Sequence, residues 1–551
     1  MGWSRRTFLT AAAGGSAALG LSPLGLGAGT AAAAGTPGDV VGKVTVGYQG
    51  WFACPGDGAP INTWWHYSAN GGQPPSPSNT TIVAWPDVRD FTHTYQTGYA
   101  ALGNGRPARV FSSYDQQTVD THFLWMQQNN IDTAALQRFD PVGGEGPTRD
   151  AMAAKVRSAA ESHGRRFYIM YDVSDWTNMQ SEIKADWTNK MKAHTASPAY
   201  ALQNGRPVVC IWGFGFNDDQ RPFSAAACLD VVNWFKDQGV YLIGGVPTWW
   251  RTGDRDSRPG FLDVYHAFHM LSPWMVGRIG NASDADNFYD VATVPDLADC
   301  AAHGIDYQPC VLPGAVTLRQ RAHGDFMWRQ FYNHVRAGVQ SVYISMFDEF
   351  NEGNQIAKTA ESQAWVPADS GFLALDEDGT ACSSDYYLRL TGDGGRMLKR
   401  QIALTATRPT PPMTGADGGT STVISLRARA NSQYVTAEDA GAAPLVANRA
   451  AVGPWEQFDQ VDAGGGTVAL RAHANGRYVS AENAGAAALI ANRTAVGTWE
   501  TFQLIRNSNG TVSLRALANN QYVSAADAGA APLIANRSAI GTWEQFDLIT
   551  A

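Results

Sequence analysis

The amino-acid sequence predicts an α/β domain with the (β/α)8 TIM-barrel fold, followed by an all-β domain with the β-trefoil fold. Three observations indicate this architecture. The chain has 551 residues, more than the ~100–200 residues of a usual domain. Between residues 36 and 403, apolar β-rich runs alternate with amphipathic helical patterns, as repeated strand–helix units do. Between residues 422 and 551, nearly identical segments recur every 44 residues.

The composition describes an ordered globular protein with an excess of acidic residues. Hydrophobic residues make up 44% of the chain and charged residues 17%, a balance that excludes a largely disordered protein. The formal net charge of −9 argues against nucleic acid as a partner, because polyanion binders carry a basic face. The 18 tryptophans suit the flat faces of sugars, although such rings also fill cores.

Residues 1–34 have the features of an export signal. The pair Arg5-Arg6 precedes a Gly- and Ala-rich apolar run, and four alanines stand before Gly35. This order resembles a bacterial twin-arginine signal with an A-x-A cleavage site. We therefore predict a secreted, extracellular protein. No later stretch reaches the ~20 continuous apolar residues of a membrane-spanning helix, so we predict no membrane span.

The predicted barrel domain, residues 36–403, contains enough strand candidates for eight strand–helix units. Candidate strands begin near Val44, Ile131, Phe167, Val208, Val240, Phe268, Gln308 and Val342. Amphipathic patterns at residues 151–163 and 225–238 predict helices between them. A ninth apolar run, residues 110–113, is assigned to the long crossover that follows the first strand.

Six cysteines are spread through this domain, and no C-x-x-C pair occurs among them. A metal site made of thiolates is therefore disfavoured. In an exported protein an even number of cysteines permits disulfides without fixing their connectivity. We favour a bridge between Cys300 and Cys310, because these two are the closest pair in the sequence.

Residues 404–421 are rich in Pro, Gly and Thr and are predicted to form a linker to the repeats of residues 422–551. Three units of about four short strands fit a β-trefoil, whereas three blades cannot close a propeller. The tryptophans that recur at the same interval, Trp455, Trp499 and Trp543, are predicted to lie in the trefoil core. The segment resembles the fascin-like trefoil family, and this resemblance implies a carbohydrate-binding module.

The repeats also carry Asn-Arg pairs at equivalent positions: Asn448-Arg449, Asn492-Arg493 and Asn536-Arg537. Packing alone does not demand these polar residues, so they are candidates for three equivalent binding pockets. Recent duplication of the repeat explains their identity equally well.

In a (β/α)8 barrel the active site lies at the carboxyl ends of the strands, where this sequence places rings and carboxylates. The candidate substrate-binding residues there are Tyr48, Trp51, Trp65, His66, Asp172, Trp250 and Asn351. Rings offer apolar faces to the C–H surfaces of sugars, and carboxylates bind hydroxyls and transfer protons. The rim therefore predicts a carbohydrate cleft.

The candidate catalytic residues are Glu349 and Glu352. On an extended strand, residues three apart lie about 10 Å from each other and face opposite sides. If the chain turns after Phe347, both carboxylates can face one pocket, and Gly353 would ease that turn. Two nearby acids acquire different pKa values, which provides one acid and one base. From the spacing alone, solvated or salt-bridged loop acids are the favoured interpretation.

Residues 345–356, SMFDEFNEGNQI, resemble the S-F-N-E-W-H-E-G-x-Q-I signature of glycoside hydrolase family 99 and its family 71/99-like relatives. The motif Tyr48-x-x-Trp51-Phe52 is similar to the opening motif of that family, and residues 311–314 are similar to its V-x-P-G turn. The closing region of the family is matched by residues 375–379 and 385–388.

This resemblance implies a retaining endo-glycosidase that acts on an α-linked polysaccharide or oligosaccharide without a metal or cofactor. Glu349 would deprotonate the 2-hydroxyl of the sugar, which then displaces the leaving group through an epoxide-like intermediate. Glu352 would act as general acid and then as general base. Asp172 would contact the substrate.

Several positions depart from the family pattern. Phe350 and Asn351 replace its Trp-His pair, Asp348 replaces its usual Asn, and residues 138–139 replace a Trp pair. The substrate is therefore left open between an α-mannan-like glycan, an α-glucan and another polysaccharide. The alternative class is a secreted glycan-binding protein without catalysis. In either case we expect a monomer.

His266 and His269 have a spacing that suits metal ligation, but the sequence offers no third ligand beside them. They are interpreted as structural histidines, and no metal site is predicted.

Overall fold

The computed structural model describes residues 36–413, 422–464, 467–493 and 496–550. The predicted export signal, residues 1–34, lies outside the described residues. The chain divides after Pro412 into two units, the barrel unit and the trefoil unit. In the part of the chain that is described, no helix combines the length and the apolar character needed to cross a bilayer.

The barrel unit alternates strands and helices along the chain. Its strands are β1 (Val44–Tyr48), β2 (Tyr95–Gln96), β3 (Arg109–Val110), β4 (Thr133–Arg138), β5 (Arg166–Asp172), β6 (Leu202–Gln203), β7 (Arg206–Trp212), β8 (Tyr241–Val246), β9 (Met270–Pro273), β10 (Asp306–Tyr307), β11 (Cys310–Val311) and β12 (Val342–Ile344). Its helices are α1 (Gln116–Gln128), α2 (Gly146–His163), α3 (Met179–Asn189), α4 (Ala225–Asp237), α5 (Leu262–His266), α6 (Ala282–Phe288), α7 (Val294–His303), α8 (Asp325–Ala337) and α9 (Tyr386–Leu398).

A parallel sheet with the strand order β10-β9-β8-β7-β5-β4-β1-β12-β11 forms the centre of this unit. The segment 306–311 contributes both edge strands, because β10 pairs with β9 while β11 pairs with β12. This arrangement fits a TIM-like barrel, as predicted. The predicted strand starts fall within two residues of the observed ones. The run at residues 110–113 begins in β3, which pairs with β2 outside the parallel sheet.

The strands of the barrel are buried because helices cover the sheet. Every residue of β1, β4 and β8 is buried, as expected for parallel strands with both faces covered. Gly47 in β1 allows this packing, since a Cβ atom there would overlap the hydroxyl of Tyr343 and the sulfur of Met346. The interior of the barrel is therefore filled by side chains and is not a pore.

Part of the segment predicted as a linker lies against the barrel helices. Trp328 in α8 donates from Nε1 to the carbonyl of Thr405, 3.0 Å away. Arg408 pairs with Asp325 at 2.9 Å, and the Thr410 hydroxyl donates to Asp393 in α9 at 2.7 Å. The chain is thus held on the barrel unit for several residues beyond residue 403.

The favoured disulfide between Cys300 and Cys310 is wrong, because both residues are free buried thiols. Cys300 lies in α7 and Cys310 in β11, so they belong to different layers of the barrel. Burial raises the pKa of Cys310 to about 12 and that of Cys300 above its ordinary value. The two cysteines are close in sequence but do not form a disulfide, because the chain changes from helix to strand between them.

The trefoil unit contains three repeats of strands. The strands are β13 (Thr422–Ala428), β14 (Tyr434–Ala437), β15 (Leu445–Arg449), β16 (Phe458–Gly464), β17 (Thr467–Ala472), β18 (Tyr478–Ala481), β19 (Leu489–Arg493), β20 (Phe502–Arg506), β21 (Val512–Ala516), β22 (Tyr522–Ser524), β23 (Ile534–Arg537) and β24 (Phe546–Thr550). Strands β13, β16, β17, β20, β21 and β24 pair in a closed ring, and each repeat adds one hairpin. This topology fits a β-trefoil.

The trefoil core is formed by phenylalanines and aliphatic residues. Phe458, Phe502 and Phe546 recur at the 44-residue interval and are fully buried. In contrast, Trp455 and Trp543 are each 37% exposed, so the prediction that these tryptophans form the core is wrong. Periodicity marks equivalent positions, whether they lie in the core or on the surface.

Each repeat of the trefoil is joined to the preceding one by an asparagine and a glycine. The Asn475 side chain occupies the space that a Cβ atom on Gly441 would need, and Asn519 does the same at Gly485. Asn431 of the first repeat lies against Gly529 of the last repeat in the same way. The contacts between repeats therefore close into a circle.

Candidate active site

The two candidate catalytic glutamates lie on one turn that follows β12. Glu349 is buried, and Gln49 donates from Nε2 to its Oε2, 3.1 Å away. Glu352 is half-buried. Gly353 donates its N–H to the carbonyl of Glu349 at 3.2 Å, and its φ of 74° suits glycine. The chain therefore turns after Phe347, and the extended arrangement with the acids on opposite sides is excluded.

Asp348 links this turn to the end of β1. Its two carboxylate oxygens accept the backbone N–H groups of Gln49 at 2.7 Å and Gly50 at 2.8 Å. Burial raises the pKa of Asp348 to about 6, against the opposing effect of these two donors and of Arg149. Gln49 therefore binds both adjacent acids: its backbone N–H donates to Asp348, and its side-chain amide donates to Glu349.

Arg321 holds the far side of the turn. Its guanidinium is buried and donates to the carbonyls of Gly314, Gly353 and Gln355 at 2.7 to 2.9 Å. Burial lowers the pKa of this arginine below its ordinary value. The segment that carries the two glutamates is thus fixed by hydrogen bonds on both flanks.

Aromatic rings lie beside the turn. The rings of Trp51 and His66 are stacked with centroids 3.8 Å apart, and Phe139 is stacked with Trp51 at 5.7 Å. Trp65 packs edge-on to His66 at 5.1 Å. Asn351 donates from Nδ2 to the carbonyl of His66 at 3.1 Å. The structure therefore brings together four predicted substrate-binding residues, Trp51, Trp65, His66 and Asn351.

A second polar and aromatic group occupies the ends of β5, β7 and β9. Asp172 is buried at the end of β5 and accepts hydrogen bonds from the backbone and hydroxyl of Ser174 at 3.0 and 2.6 Å. Arg221 donates to the Ser174 hydroxyl at 2.9 Å, and its guanidinium lies 4.7 Å from the centroid of Trp212. Trp274 packs edge-on to Trp212 at 5.3 Å. The predicted contact residue Asp172 thus belongs to a preorganised network.

Two other predicted substrate-binding residues, Tyr48 and Trp250, are enclosed by protein. The Tyr48 hydroxyl lies 2.9 Å from Nδ1 of His122, and burial raises the pKa of this tyrosine well above its ordinary value. Trp250 is buried and donates from Nε1 to Asp296 at 3.1 Å. Burial in turn raises the pKa of Asp296 to about 7. In this structure neither ring presents a free face to a ligand.

Some residues of the site were not identified from the sequence. Gln49 was visible inside the Tyr48-to-Trp51 motif, but nothing in the sequence indicated its bond to Glu349. Asp348 was noted as a departure from a family pattern and not as a residue that joins two loops. Arg221 and Trp212 lie in segments without a motif, so their role depended on the three-dimensional arrangement.

Comparisons with known proteins show only limited likeness. A family model described as a domain of unknown function, DUF7910, matches residues 459–550. No curated protein matches the chain. The structure is similar to a GH99 endo-alpha-mannosidase from Bacteroides thetaiotaomicron, with 14% identity, a TM-score of 0.47, and coverage of 66% of this chain and 100% of that chain. The trefoil unit is similar to ThreeFoil, a designed three-fold symmetric protein, with 21% identity, a TM-score of 0.22, and coverage of 23% and 97%.

Proposed function

We propose that the protein is a glycoside hydrolase that cleaves an α-linked polysaccharide with Glu349 and Glu352. The observation that carries this proposal is the turn that joins the two glutamates, next to a stack of aromatic rings at the carboxyl ends of barrel strands. A protein that only binds glycans has no need for two acids held on one hydrogen-bonded turn.

In the proposed reaction, Glu349 takes the proton of the sugar 2-hydroxyl, whose oxygen attacks the anomeric carbon while the bond to the leaving oxygen breaks. Glu352 gives its proton to that leaving oxygen and then deprotonates the water that opens the strained intermediate. As the intermediate opens, Glu349 returns its proton to the 2-oxygen, so both acids recover their starting states. Gln49 supports this assignment, because its bond to Oε2 fixes Glu349 before substrate arrives. The half-buried Glu352 can exchange its proton with solvent between turnovers. The product retains the α configuration.

Trp51 is buried and stacked with both His66 and Phe139, so we propose that it supports these two rings. The half-buried rings of His66 and Phe139 are proposed to pack against the apolar face of a sugar. Phe350, in contrast, is buried and packs edge-on to Phe52 and Phe111, so it does not contact substrate in this proposal. Among the positions that depart from the family pattern, Phe139 and Asn351 are then the residues that would select the sugar. An α-mannan-like glycan is the leading substrate class, and an α-glucan is the second.

The test is a screen of the purified chain on α-mannans, α-glucans, and arabinose- and galactose-containing polymers, read as released reducing ends. On the active polymer, E349Q and E352Q should each lower turnover by about 10²–10⁴, as expected for the loss of an acid or base. The matched control is E161Q, which alters a glutamate on the exposed face of α2. Unchanged activity in E349Q or E352Q would remove that residue from its role. Binding without cleavage by the wild-type protein would favour the glycan-binding alternative.

For the trefoil unit, we propose that the three recurring tryptophans bind the polysaccharide, since Trp455 and Trp543 are exposed and Trp499 is half-buried. The Asn-Arg pairs are less suited, because Arg449 and Arg493 form ion pairs with Glu438 and Glu482 at 2.9 and 2.7 Å. Replacing Trp455, Trp499 and Trp543 together with alanine should abolish retention on insoluble polysaccharide without altering the melting temperature. Replacing the three arginines should leave retention intact; the opposite pair of results would assign binding to the arginines.

A further inference from the structure

We propose that His266, Asp299 and His303 form a binding site for one divalent transition-metal ion, with Zn²⁺ as the best-fitting class. This site lies outside the proposed active site and does not depend on the proposed function. The sequence had offered His266 and His269 without a third ligand. In the structure, the candidate ligands beside His266 are two residues of α7, Asp299 and His303, and not His269.

The geometry of the three side chains is the first argument. His266 ends α5, while Asp299 and His303 are one turn apart on α7. Nε2 of His266 and Nδ1 of His303 lie 2.8 and 3.2 Å from the same oxygen of Asp299. The three candidate ligand atoms all lie within 4.8 Å of one another. Two ligands bound tetrahedrally at the usual zinc distances are about 3.3 Å apart, so one ion can contact all three after small side-chain rotations.

The chemistry of the ligands is the second argument. Two imidazole nitrogens and one carboxylate oxygen suit zinc and its neighbours among the transition metals, whereas calcium and magnesium prefer oxygen ligands. The His303 side chain is 43% exposed, so an ion can enter from solvent and water can complete its coordination. The Asp299 carboxylate lies 2.8 Å from Nε2 of His266, and the backbone carbonyl of Asp299 lies 2.9 Å from Nδ1 of His303. The two rings stack with centroids 3.6 Å apart, so they rotate out of this stack when both bind one ion. The ligands are therefore gathered before an ion binds.

His269 is excluded as a ligand by its own contacts. Its Nδ1 accepts the backbone N–H of Leu242 at 3.0 Å, and its Nε2 lies 3.1 Å from the guanidinium of Arg206. Burial lowers the pKa of His269 to about 4, which keeps this imidazole neutral in its structural role.

The position of the site indicates a structural role for the ion. One turn before Asp299 on α7, Asp296 binds both Trp250 and Arg251 of the loop that precedes α5. An ion bound by His266, Asp299 and His303 would connect the end of α5 to α7, in addition to the bonds that Asp296 makes to the preceding loop. It would hold α5 on α7 and would not take part in chemistry at the glutamates.

The experiment uses the full chain without a histidine tag, stripped with a chelator and titrated with ZnCl2 by calorimetry. The expected result is binding of one equivalent of Zn²⁺ together with a rise in melting temperature. H303A and D299N should each weaken binding by at least ~10-fold, since each removes a ligand or its charge. The control H93A alters an exposed histidine elsewhere in the barrel unit and should bind as the wild type does. Absence of stoichiometric binding, or equal affinity in the wild type, H303A and D299N, would overturn the proposal.

Discussion

Replacing Asp348 with asparagine should change how the stability of the protein depends on pH. In the folded protein, burial raises the pKa of Asp348 from 3.8 to about 6. Between these pH values the folded state holds a proton that the unfolded chain has lost, so the free energy of unfolding falls as pH rises. At about 1.4 kcal/mol per pH unit, the interval amounts to about 3 kcal/mol. This contribution to the free energy of unfolding is fully present well below pH 3.8 and fully lost well above pH 6.

The variant D348N keeps the shape of the side chain and does not titrate. Its amide nitrogen would face the N–H of Gln49 or Gly50, which costs about 1–3 kcal/mol at every pH. The informative quantity is therefore the stability of the wild type minus that of D348N, since other titrating groups cancel in this difference. It should fall by about 2.4 kcal/mol from pH 4 to pH 7, since part of the full change has already occurred at pH 4.

The assay is urea unfolding of both proteins at pH steps from 4 to 8, with D237N as a control for the loss of one exposed carboxylate. A difference that stays constant with pH would refute the reasoning. A difference that grows with pH would show that the two N–H donors outweigh burial and depress the pKa of Asp348.

Three further predictions follow from buried contacts, the segment after the barrel and the trefoil ion pairs. R321M should lower the free energy of unfolding by about 3–5 kcal/mol in urea denaturation, because it leaves three loop carbonyls buried without their donor; a loss below 1 kcal/mol would contradict the assigned contacts. The fragment 36–412 should melt at a higher temperature than the fragment 36–403, since residues beyond 403 bind α8 and α9; equal melting would show that these contacts are weak. Arg449 forms an ion pair with Glu438, whereas Arg537 has no counterpart of this pair because the equivalent position, 526, is an alanine. R449A should therefore destabilise the trefoil unit by a few tenths of a kcal/mol more than R537A in chemical denaturation.

The sequence was sufficient to predict the barrel strands because their signal is local. Each strand is an apolar run of a few residues, and its burial is visible without knowledge of its partners. The closure of the sheet was not visible, since the segment 306–311 pairs with β9 through one half and with β12 through the other. Pro309 lies at the division between the two halves, where it cannot donate a backbone hydrogen bond.

The candidate site was predictable only in part. The spacing of Glu349 and Glu352 selected the two candidate acids, and the structure contains the turn that this assignment requires. The bond from Gln49 to Asp348 joins residues 299 positions apart, and no local pattern records such a contact. Trp250 was selected for its position after a strand, but only the fold shows that its indole faces Asp296.

The circular contacts of the trefoil unit have a consequence for its synthesis. Strand β13 pairs with β24 along five residues, from Ile424 with Thr550 to Ala428 with Phe546. A nascent chain that has emerged only as far as β20 therefore exposes an open edge on its first repeat. Because the three repeats are nearly identical, a strand equivalent to β24 from a neighbouring nascent chain could pair with the open edge of β13. Crowded polysomes would then yield intertwined dimers, whereas widely spaced ribosomes would yield single closed rings.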